Sequence, residues 1–234
     1  MQQIFIDRAL KIDEIYEFDE PKAHHLMHVL RIAKDTKVRL VHEQAYLANI
    51  DYQDGKVIAR VIDIDERNNE LKCNLILVQA MIKKEKWELV LQKASELGCT
   101  TIIPLLTKRT IVDDRRFADK RVRYEKILLE AAQQCKRNQV CTLLDPINLK
   151  DLDVYGDLKM VAYEDLDQKA SKIHQLYQKQ ENIVIVIGPE GGFDPSEIAL
   201  LKTKGYQCVS LGNRILRSET ASMYALSVIG ELTE

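Results

Sequence analysis

The pattern of hydrophobic and polar positions changes character near residue 70. Before that point, three short β-branched segments indicate strands, at residues 38–41, 46–50 and 56–64. Asp54 and Gly55 lie between the last two segments and suit a tight hairpin turn. Apolar residues at helical spacing predict a helix over residues 21–33. Short strands with one helix predict a small β-barrel in this part of the chain.

Beyond the polar stretch 65–70, strands and helices alternate. The strands are predicted at 71–80, 102–103, 160–163, 183–187 and 207–211, and the helices at 86–97, 120–137, 168–179, 194–205 and from 219 onward. The polar stretch has no apolar residue and is the predicted linker. We therefore predict two domains, residues 1–70 and 71–234, the second an α/β domain with a mainly parallel sheet.

Composition excludes several classes of protein. Apolar residues make up 46% of the chain and charged residues 30%, as in an ordinary globular protein. The apolar run 183–187 is far shorter than the roughly 18 residues that cross a bilayer, so we expect no contact with a membrane. Asp7 and Arg8 interrupt the N-terminal segment, which does not resemble a signal peptide. These features predict a cytoplasmic protein.

The five cysteines are scattered and form no C-x-x-C pair. An odd, widely spaced set excludes a disulfide framework and a zinc ribbon. His24 and His28 share a helical face, but no third ligand stands at a suitable spacing. The sequence therefore predicts structural cysteines and no metal site.

The whole chain has nearly equal numbers of basic and acidic residues, but one stretch has an excess of basic residues. The formal net charge is −2, from 34 basic and 36 acidic residues. Residues 108–137 nevertheless hold ten basic residues against five acidic ones. The basic residues are Lys108, Arg109, Arg115, Arg116, Lys120, Arg121, Arg123, Lys126, Lys136 and Arg137. Such a stretch suits a polyanion, and it equally suits a solvated helix face.

Two loops that each follow a strand and precede a helix carry the candidate chemistry. The first is the glycine-rich segment 188–194, at the kind of strand end where open α/β sheets bind ligands. It matches neither the Walker A loop nor the G-x-G-x-x-G fingerprint, and a tight turn without a ligand is the alternative interpretation. The second is segment 211–221, in which Arg214 and Arg217 could grip an anionic group. Surface ion pairs with Glu190 or Glu219 are the alternative for these arginines.

These segments resemble a known family. The sequences GPEGGF (188–193), LGNRILRSETA (211–221) and EKWELVLQKASELGC (85–99) resemble the RsmE family of SPOUT methyltransferases. HHLMHVLRI (24–32) is similar to the small PUA-like RNA-binding domain of that family, so the resemblance spans nearly the whole chain. The resemblance implies an N-terminal PUA-like β-barrel and a C-terminal parallel sheet with a trefoil knot. It also implies a homodimer that uses S-adenosylmethionine to methylate N3 of a uridine in 16S ribosomal RNA of the small (30S) subunit.

The resemblance also implies the site residues. The cofactor would lie against Ala162, Tyr163, Glu164, Gly188, Glu190, Gly191, Gly192, Leu211, Gly212, Ile215, Leu216 and Ala221. RNA phosphates would be held by Arg31, Lys34, Lys108, Arg109 and Arg137. One segment departs from the family pattern, because Gln133 stands where the family often has a glutamate.

The chemistry of the reaction suggests roles for two residues. The enzyme must hold the uridine nitrogen in line with the methyl group and remove its proton. Arginine stays protonated in proteins, so we assign Arg217 to orienting the uracil and stabilising its developing anion. Glu219 is a candidate base, and its place in the first helical turn equally suits a capping role. The competing functions are a ribose 2′-O-methyltransferase and a noncatalytic RNA-binding or ribosome assembly protein.

Overall fold

The chain forms two units. The computed structural model describes residues 1–110, 116–163 and 170–234. Met1–Asn69 and Gln133–Gln139 make up the first unit, and Glu70–Ala132 with Val140–Glu234 make up the second. The predicted single boundary near residue 70 did not include the segment Gln133–Gln139, which leaves the middle of the second unit and joins the first.

The first unit is built on a five-stranded sheet. Its strands are β1 (Gln2–Phe5), β2 (Ile15–Glu17), β3 (Lys37–His42), β4 (Gln44–Gln53) and β5 (Lys56–Asp65). They lie in the order β1-β3-β4-β5-β2, with β1 parallel to β3 and the other pairs antiparallel. Asp54 and Gly55 both have positive φ, at 49° and 76°, which is what a type I′ turn requires. The predicted hairpin is confirmed, whereas the short edge strands β1 and β2 were not predicted.

The helix predicted over residues 21–33 is wrong in length and in kind. Only α1 (Glu20–His24) is α-helical, and a π-helical turn over His25–Val29 follows it. The wider turn moves the apolar side chains off a common face. Leu26 is buried, while Val29 and Leu30 are exposed. The apolar spacing suggested one buried stripe that the π-helical turn interrupts.

A buried arginine organises the polar interior of the first unit. The side chain of Arg39 is 1% exposed. Its Nε donates to Asp65 Oδ2 over 2.7 Å, Nη1 to Gln3 Oε1 over 2.7 Å and Nη2 to Asn138 Oδ1 over 2.6 Å. Hydrogen bonds from Arg67 and Arg39 hold the pKa of the Asp65 carboxyl well below its usual range. The buried charge is thus fully paired.

The segment Gln133–Gln139 is held by its backbone carbonyls. Gln3 Nε2 donates to the carbonyl of Arg137 over 2.7 Å, and Asn69 Nδ2 donates to the carbonyl of Lys136 over 2.8 Å. Arg137 itself is only 2% exposed. Its predicted role as a phosphate contact is therefore wrong, because a buried guanidinium does not face an RNA backbone.

The second unit is an α/β fold with a parallel sheet, as the alternating pattern predicted. Its strands are β6 (Asn74–Ala80), β7 (Thr101–Leu106), β8 (Thr142–Leu143), β9 (Ile147–Asn148), β10 (Leu158–Ala162), β11 (Asn182–Ile187) and β12 (Gln207–Val209). Its helices are α2 (Lys84–Glu96), α3 (Phe117–Cys135), α4 (Ile173–Leu176), α5 (Pro195–Thr203) and α6 (Ser218–Thr233), and the last three residues of α3 lie in the first unit. The strand order is β12-β10-β11-β6-β7-β8, with β9 also on β7 and every pair parallel.

The helix predicted over residues 168–179 is shorter in the structure. Only α4, at Ile173–Leu176, is helical there, and residues 168 and 169 lie outside the described part of the chain. The other predicted helices of this unit are present with shifted ends.

Side chains from both faces of the parallel sheet are buried. Ile183, Ile185 and Ile187 of β11 pack into the cluster that holds α2 and α6. Val184 and Val186 point the other way, into the cluster that holds α5. This arrangement explains the continuous apolar run of β11, since a strand buried on both faces needs no alternation.

Candidate active site

Three neighbouring strands end at the carboxyl-terminal edge of the parallel sheet. They are β10, β11 and β12, which lie in the order β12-β10-β11. The two glycine-containing loops were expected side by side, but the end of β10 lies between them. Ala162 closes β10, and the backbone N–H of Tyr163 donates to the carbonyl of Val209 over 3.1 Å. Glu164, a predicted member of this wall, lies outside the described residues.

The glycine-rich loop 188–194 is a tight turn that leads into a capped helix. Gly192 N donates to the carbonyl of Pro189 over 2.9 Å, and Gly192 has a φ of +68°, which favours glycine. Asp194 caps α5 by accepting from Ser196 N over 3.0 Å. Hydrogen bonds from Ser196, and then from Lys108, lower the pKa of Asp194 to about 2. The carboxylate therefore stays ionised at neutral pH.

The second loop exposes two arginines. Leu211 and Leu216 at its ends are half-buried against the core, whereas Ile215 between them is 80% exposed. The side chains of Arg214 and Arg217 are exposed, and within the described residues neither guanidinium has a hydrogen-bond or ion-pair partner. Both are available to a ligand.

The carboxylates that were alternative partners for these arginines pair with a lysine instead. Lys86 Nζ of α2 lies 3.3 Å from Glu219 Oε1 and 3.7 Å from Glu190 Oε1. Glu219 is 12% exposed, and its Oε2 is buried with no hydrogen-bond partner in the described part of the chain. The alternative of arginine ion pairs is therefore wrong. Lys86 lies in the motif 85–99, but its role was not predicted from the sequence.

A buried hydrogen-bond network fixes the start of α6 against the glycine-rich loop. Gln79 of β6 is fully buried, and its Nε2 donates to Ser218 Oγ over 3.0 Å. Ser218 Oγ donates to the carbonyl of Gly188 over 2.6 Å, and Ser222 Oγ donates to Gln79 Oε1. Sequence reasoning missed Gln79, although a polar residue inside the apolar strand β6 was a usable signal.

Ser218→Ala is expected to lower the free energy of unfolding by about 1–3 kcal/mol, because it leaves Gln79 and the Gly188 carbonyl short of a partner. Urea denaturation would measure the effect. Thr142→Ala, at an exposed side chain on β8 of the same unit, is the matched control. Equal stability of the two variants would show that the network adds nothing.

The residues predicted to contact RNA lie in different settings. Arg31 is exposed and has a φ of +49°. Lys34 Nζ lies 2.9 Å from Asp51 Oδ1, and this pairing raises the pKa of Lys34. Lys108 and Arg109 are exposed, and they donate to Asp194 and to the Gly191 carbonyl of the glycine-rich loop. RNA binding by these four residues stays a prediction.

In the part of the chain that the structure describes, no group of three His, Cys, Asp or Glu side chains is arranged to hold a metal ion. No helix in the same part of the chain has the length and apolarity of a membrane span. The rings of His24 and His28 lie 4.6 Å apart.

Comparison with known proteins identifies the family. A family model described as an RNA methyltransferase domain matches residues 69–230. The ribosomal RNA small subunit methyltransferase E of Bacillus subtilis is 32% identical over 252 residues, which cover 100% of this chain and 98% of the relative.

Solved structures agree with this comparison. The ribosomal RNA small subunit methyltransferase E of Neisseria gonorrhoeae, bound to S-adenosyl methionine, superposes with a TM-score of 0.90 at 28% identity and covers 99% of this chain and 98% of its own. A methyltransferase of Legionella pneumophila in complex with the same cofactor gives a TM-score of 0.87 at 30% identity, with 98% and 97% covered. The chain belongs to the RNA methyltransferase domain family, in the group of the ribosomal RNA small subunit methyltransferase E proteins that its sequence resembles.

Proposed function

We propose that this protein uses S-adenosylmethionine to methylate N3 of a uridine in 16S ribosomal RNA of the small subunit. The observation that carries the proposal is the sheet edge where the glycine-rich loop meets the start of α6, with the unpartnered guanidinium of Arg217 beside it. The named relatives act on small-subunit ribosomal RNA, and two related structures hold this cofactor. The choice of uridine N3 rests on the family resemblance.

The residues at the sheet edge fit S-adenosylmethionine. At Gly192 no atom lies within 4 Å of the position that a Cβ would take, so the backbone there faces open space. Leu211 and Leu216 offer apolar surface to an adenine ring, as in many small-ligand pockets. We assign cofactor binding to Ala162, Tyr163, Gly188, Glu190, Gly191, Gly192, Leu211, Gly212, Ile215, Leu216 and Ala221. When bound, the cofactor would supply the methyl group from its sulfonium sulfur, whose bond to that methyl group breaks to release a neutral thioether as the leaving group.

The two other roles in the reaction, stabilising the uracil anion and accepting its proton, are assigned to Arg217 and Glu219. The uridine N3–H must lose its proton as the new N3–methyl bond forms, which leaves negative charge on the uracil carbonyls in the transition state. Arg217 donates to those oxygens and holds the ring in line. Glu219 is the proposed acceptor of the N3 proton, since it lies two residues from Arg217 and its Oε2 has no hydrogen-bond partner in the described part of the chain. That oxygen is buried, so it must become exposed to the substrate for the transfer.

The product of the reaction tests this function. The protein is incubated with labelled S-adenosylmethionine and small subunits whose RNA lacks the modification, and the digested RNA is analysed by mass spectrometry. We expect labelled 3-methyluridine. A 2′-O-methylated nucleoside would indicate the ribose methyltransferase instead, and binding of the cofactor without any transfer would indicate a noncatalytic RNA-binding protein.

A second copy of the chain is the proposed partner of α6. An open groove of about 490 Å³ runs along this helix, and its lining is largely apolar. Its residues are Thr220, Met223, Tyr224, Ser227, Val228, Glu231 and Leu232. They recur every three or four positions, which makes a continuous stripe on one helix face. This stripe and the family resemblance together support a homodimer.

Tyr224→Glu is expected to convert the dimer to a monomer, because it places a charge in the centre of the stripe. Analytical ultracentrifugation at several concentrations would measure the change. Val122→Glu on α3 is the matched control, since Val122 is an exposed apolar residue outside the groove. A Tyr224→Glu protein that stays dimeric would contradict this interface.

The resemblance also supports finer assignments of fold and setting. We infer that the second unit carries the trefoil knot of the family. This inference rests on the family resemblance. We assign the first unit as the PUA-like RNA-binding barrel, with Arg31 and Lys34 on its surface. Action on ribosomal RNA implies residence in the cytoplasm.

A further inference from the structure

The turn that follows β7 is fastened to the glycine-rich loop. Arg109 Nη1 donates to the carbonyl of Gly191 over 2.9 Å, and Arg109 Nη2 lies 3.8 Å from Asp194 Oδ2. Lys108 Nζ donates to Ser196 Oγ over 2.7 Å and to Asp194 Oδ1 over 3.3 Å. Both basic residues direct their charge at the loop and at the start of α5.

A buried glutamate completes the attachment. Glu197 of α5 is 5% exposed. Its Oε1 accepts from the backbone N–H of Lys108 over 2.8 Å, and its Oε2 accepts from the backbone N–H of Asp194 over 2.9 Å. One carboxylate therefore joins the turn after β7 to the end of the glycine-rich loop. Hydrogen bonds to a charged acceptor are stronger than neutral ones.

We propose that the turn at residues 107–110 is a brace for the glycine-rich loop, and that Arg109 is a positioning residue for S-adenosylmethionine rather than a phosphate contact. This inference rests on the proposed function, because it takes the loop to be the cofactor loop. It replaces the role that the sequence suggested for Arg109 with one that its contacts favour.

A comparison of the Arg109 contacts indicates which one holds the glycine-rich loop in place. The pair between Arg109 and Asp194 is long and exposed, and such pairs contribute little. The bond to the Gly191 carbonyl is short and charge-assisted. A Cβ at Gly191 would lie 3.4 Å from Arg109 Cβ, so the stem of the side chain also contacts the loop backbone. The guanidinium keeps further N–H donors that could reach a phosphate, so the RNA affinity of a variant at this position decides between the two roles.

Arg109→Ala is expected to weaken S-adenosylmethionine binding about tenfold, which corresponds to the loss of one charge-assisted hydrogen bond. RNA affinity is expected to change less than about twofold, since one surface cation among many is lost. Isothermal titration calorimetry would give the first quantity and filter binding to a small-subunit RNA fragment the second. Arg109→Lys keeps a donor and should recover part of the cofactor affinity. Lys202→Ala removes an exposed cation from α5 and is the matched control.

Hydrogen exchange on the ligand-free protein gives a readout that does not depend on the cofactor. Peptides covering residues 188–194 should exchange faster in Arg109→Ala than in wild type, and Lys202→Ala should leave them unchanged. Unchanged exchange, or RNA affinity that falls while cofactor affinity stays the same, would overturn the brace. If the wild-type protein bound no S-adenosylmethionine, the proposed function would fail, and the exchange result alone would decide the brace.

Discussion

Arg217→Ala is expected to lower kcat for methyl transfer by about 100-fold to 1000-fold, the usual effect of removing a donor that stabilises developing negative charge. The guanidinium stands at the start of α6 and has no partner among the described residues, so its removal breaks no internal contact. For the same reason, stability and cofactor affinity should stay close to those of the wild type. The loss should appear in kcat with saturating cofactor and RNA.

The neighbouring loop arginine supplies the control for this result. Arg214 is exposed on the same loop and is also unpartnered within the described chain, so Arg214→Ala removes an equal charge. A general loss of RNA attraction would affect both variants alike and would raise KM. Wild-type turnover by Arg217→Ala would remove this residue from the mechanism.

Arg39→Ala is expected to destabilise the first unit by about 3–5 kcal/mol, because it removes one member of a buried ion pair together with the donor to two other polar side chains. Asp65 would keep its contact with Arg67 but lose that with Arg39, and Gln3 and Asn138 would lose donors. Chemical denaturation followed by circular dichroism would measure the change.

Arg60→Ala is the matched control for this stability measurement, since Arg60 is exposed on β5 of the same sheet. The control should lie within about 0.5 kcal/mol of the wild type, as surface substitutions usually do. Equal stability of the two variants would mean that the polar cluster around Arg39 contributes little.

Local patterns predicted the elements whose causes are local. The Asp54-Gly55 turn depends on two residues that tolerate positive φ, and the apolar run of β11 reflects burial on both sheet faces. The edge strand β1 could not be predicted in this way, because it is stabilised by pairing with β3. The two strands are parallel, and Gln2 pairs with Val38. The π-helical turn at His25–Val29 was not predicted either, because a prediction from apolar spacing assumes regular α-helical turns throughout.

The same distinction between local and long-range causes applies to the candidate site. The glycine-rich loop and the loop with Arg217 each have a sequence motif, so both were found. Lys86 and Gln79 act through contacts with residues far away in the chain. Gln79, for example, bonds to Ser218 at a separation of 139 residues. Arg137 was misplaced because a basic stretch does not reveal which of its members is buried.

The path of the chain through Gln133–Gln139 restricts how the two units can be exchanged between related proteins by recombination or by gene fusion. The first unit is not one contiguous stretch of sequence, because it includes a segment that interrupts the sequence of the second unit. That segment supplies Asn138, which accepts a hydrogen bond from Arg39. A gene fusion with one crossover near codon 70 would combine Arg39 with a foreign copy of that segment. Exchange of the first unit between relatives therefore requires two crossovers, or matched residues at 133–139.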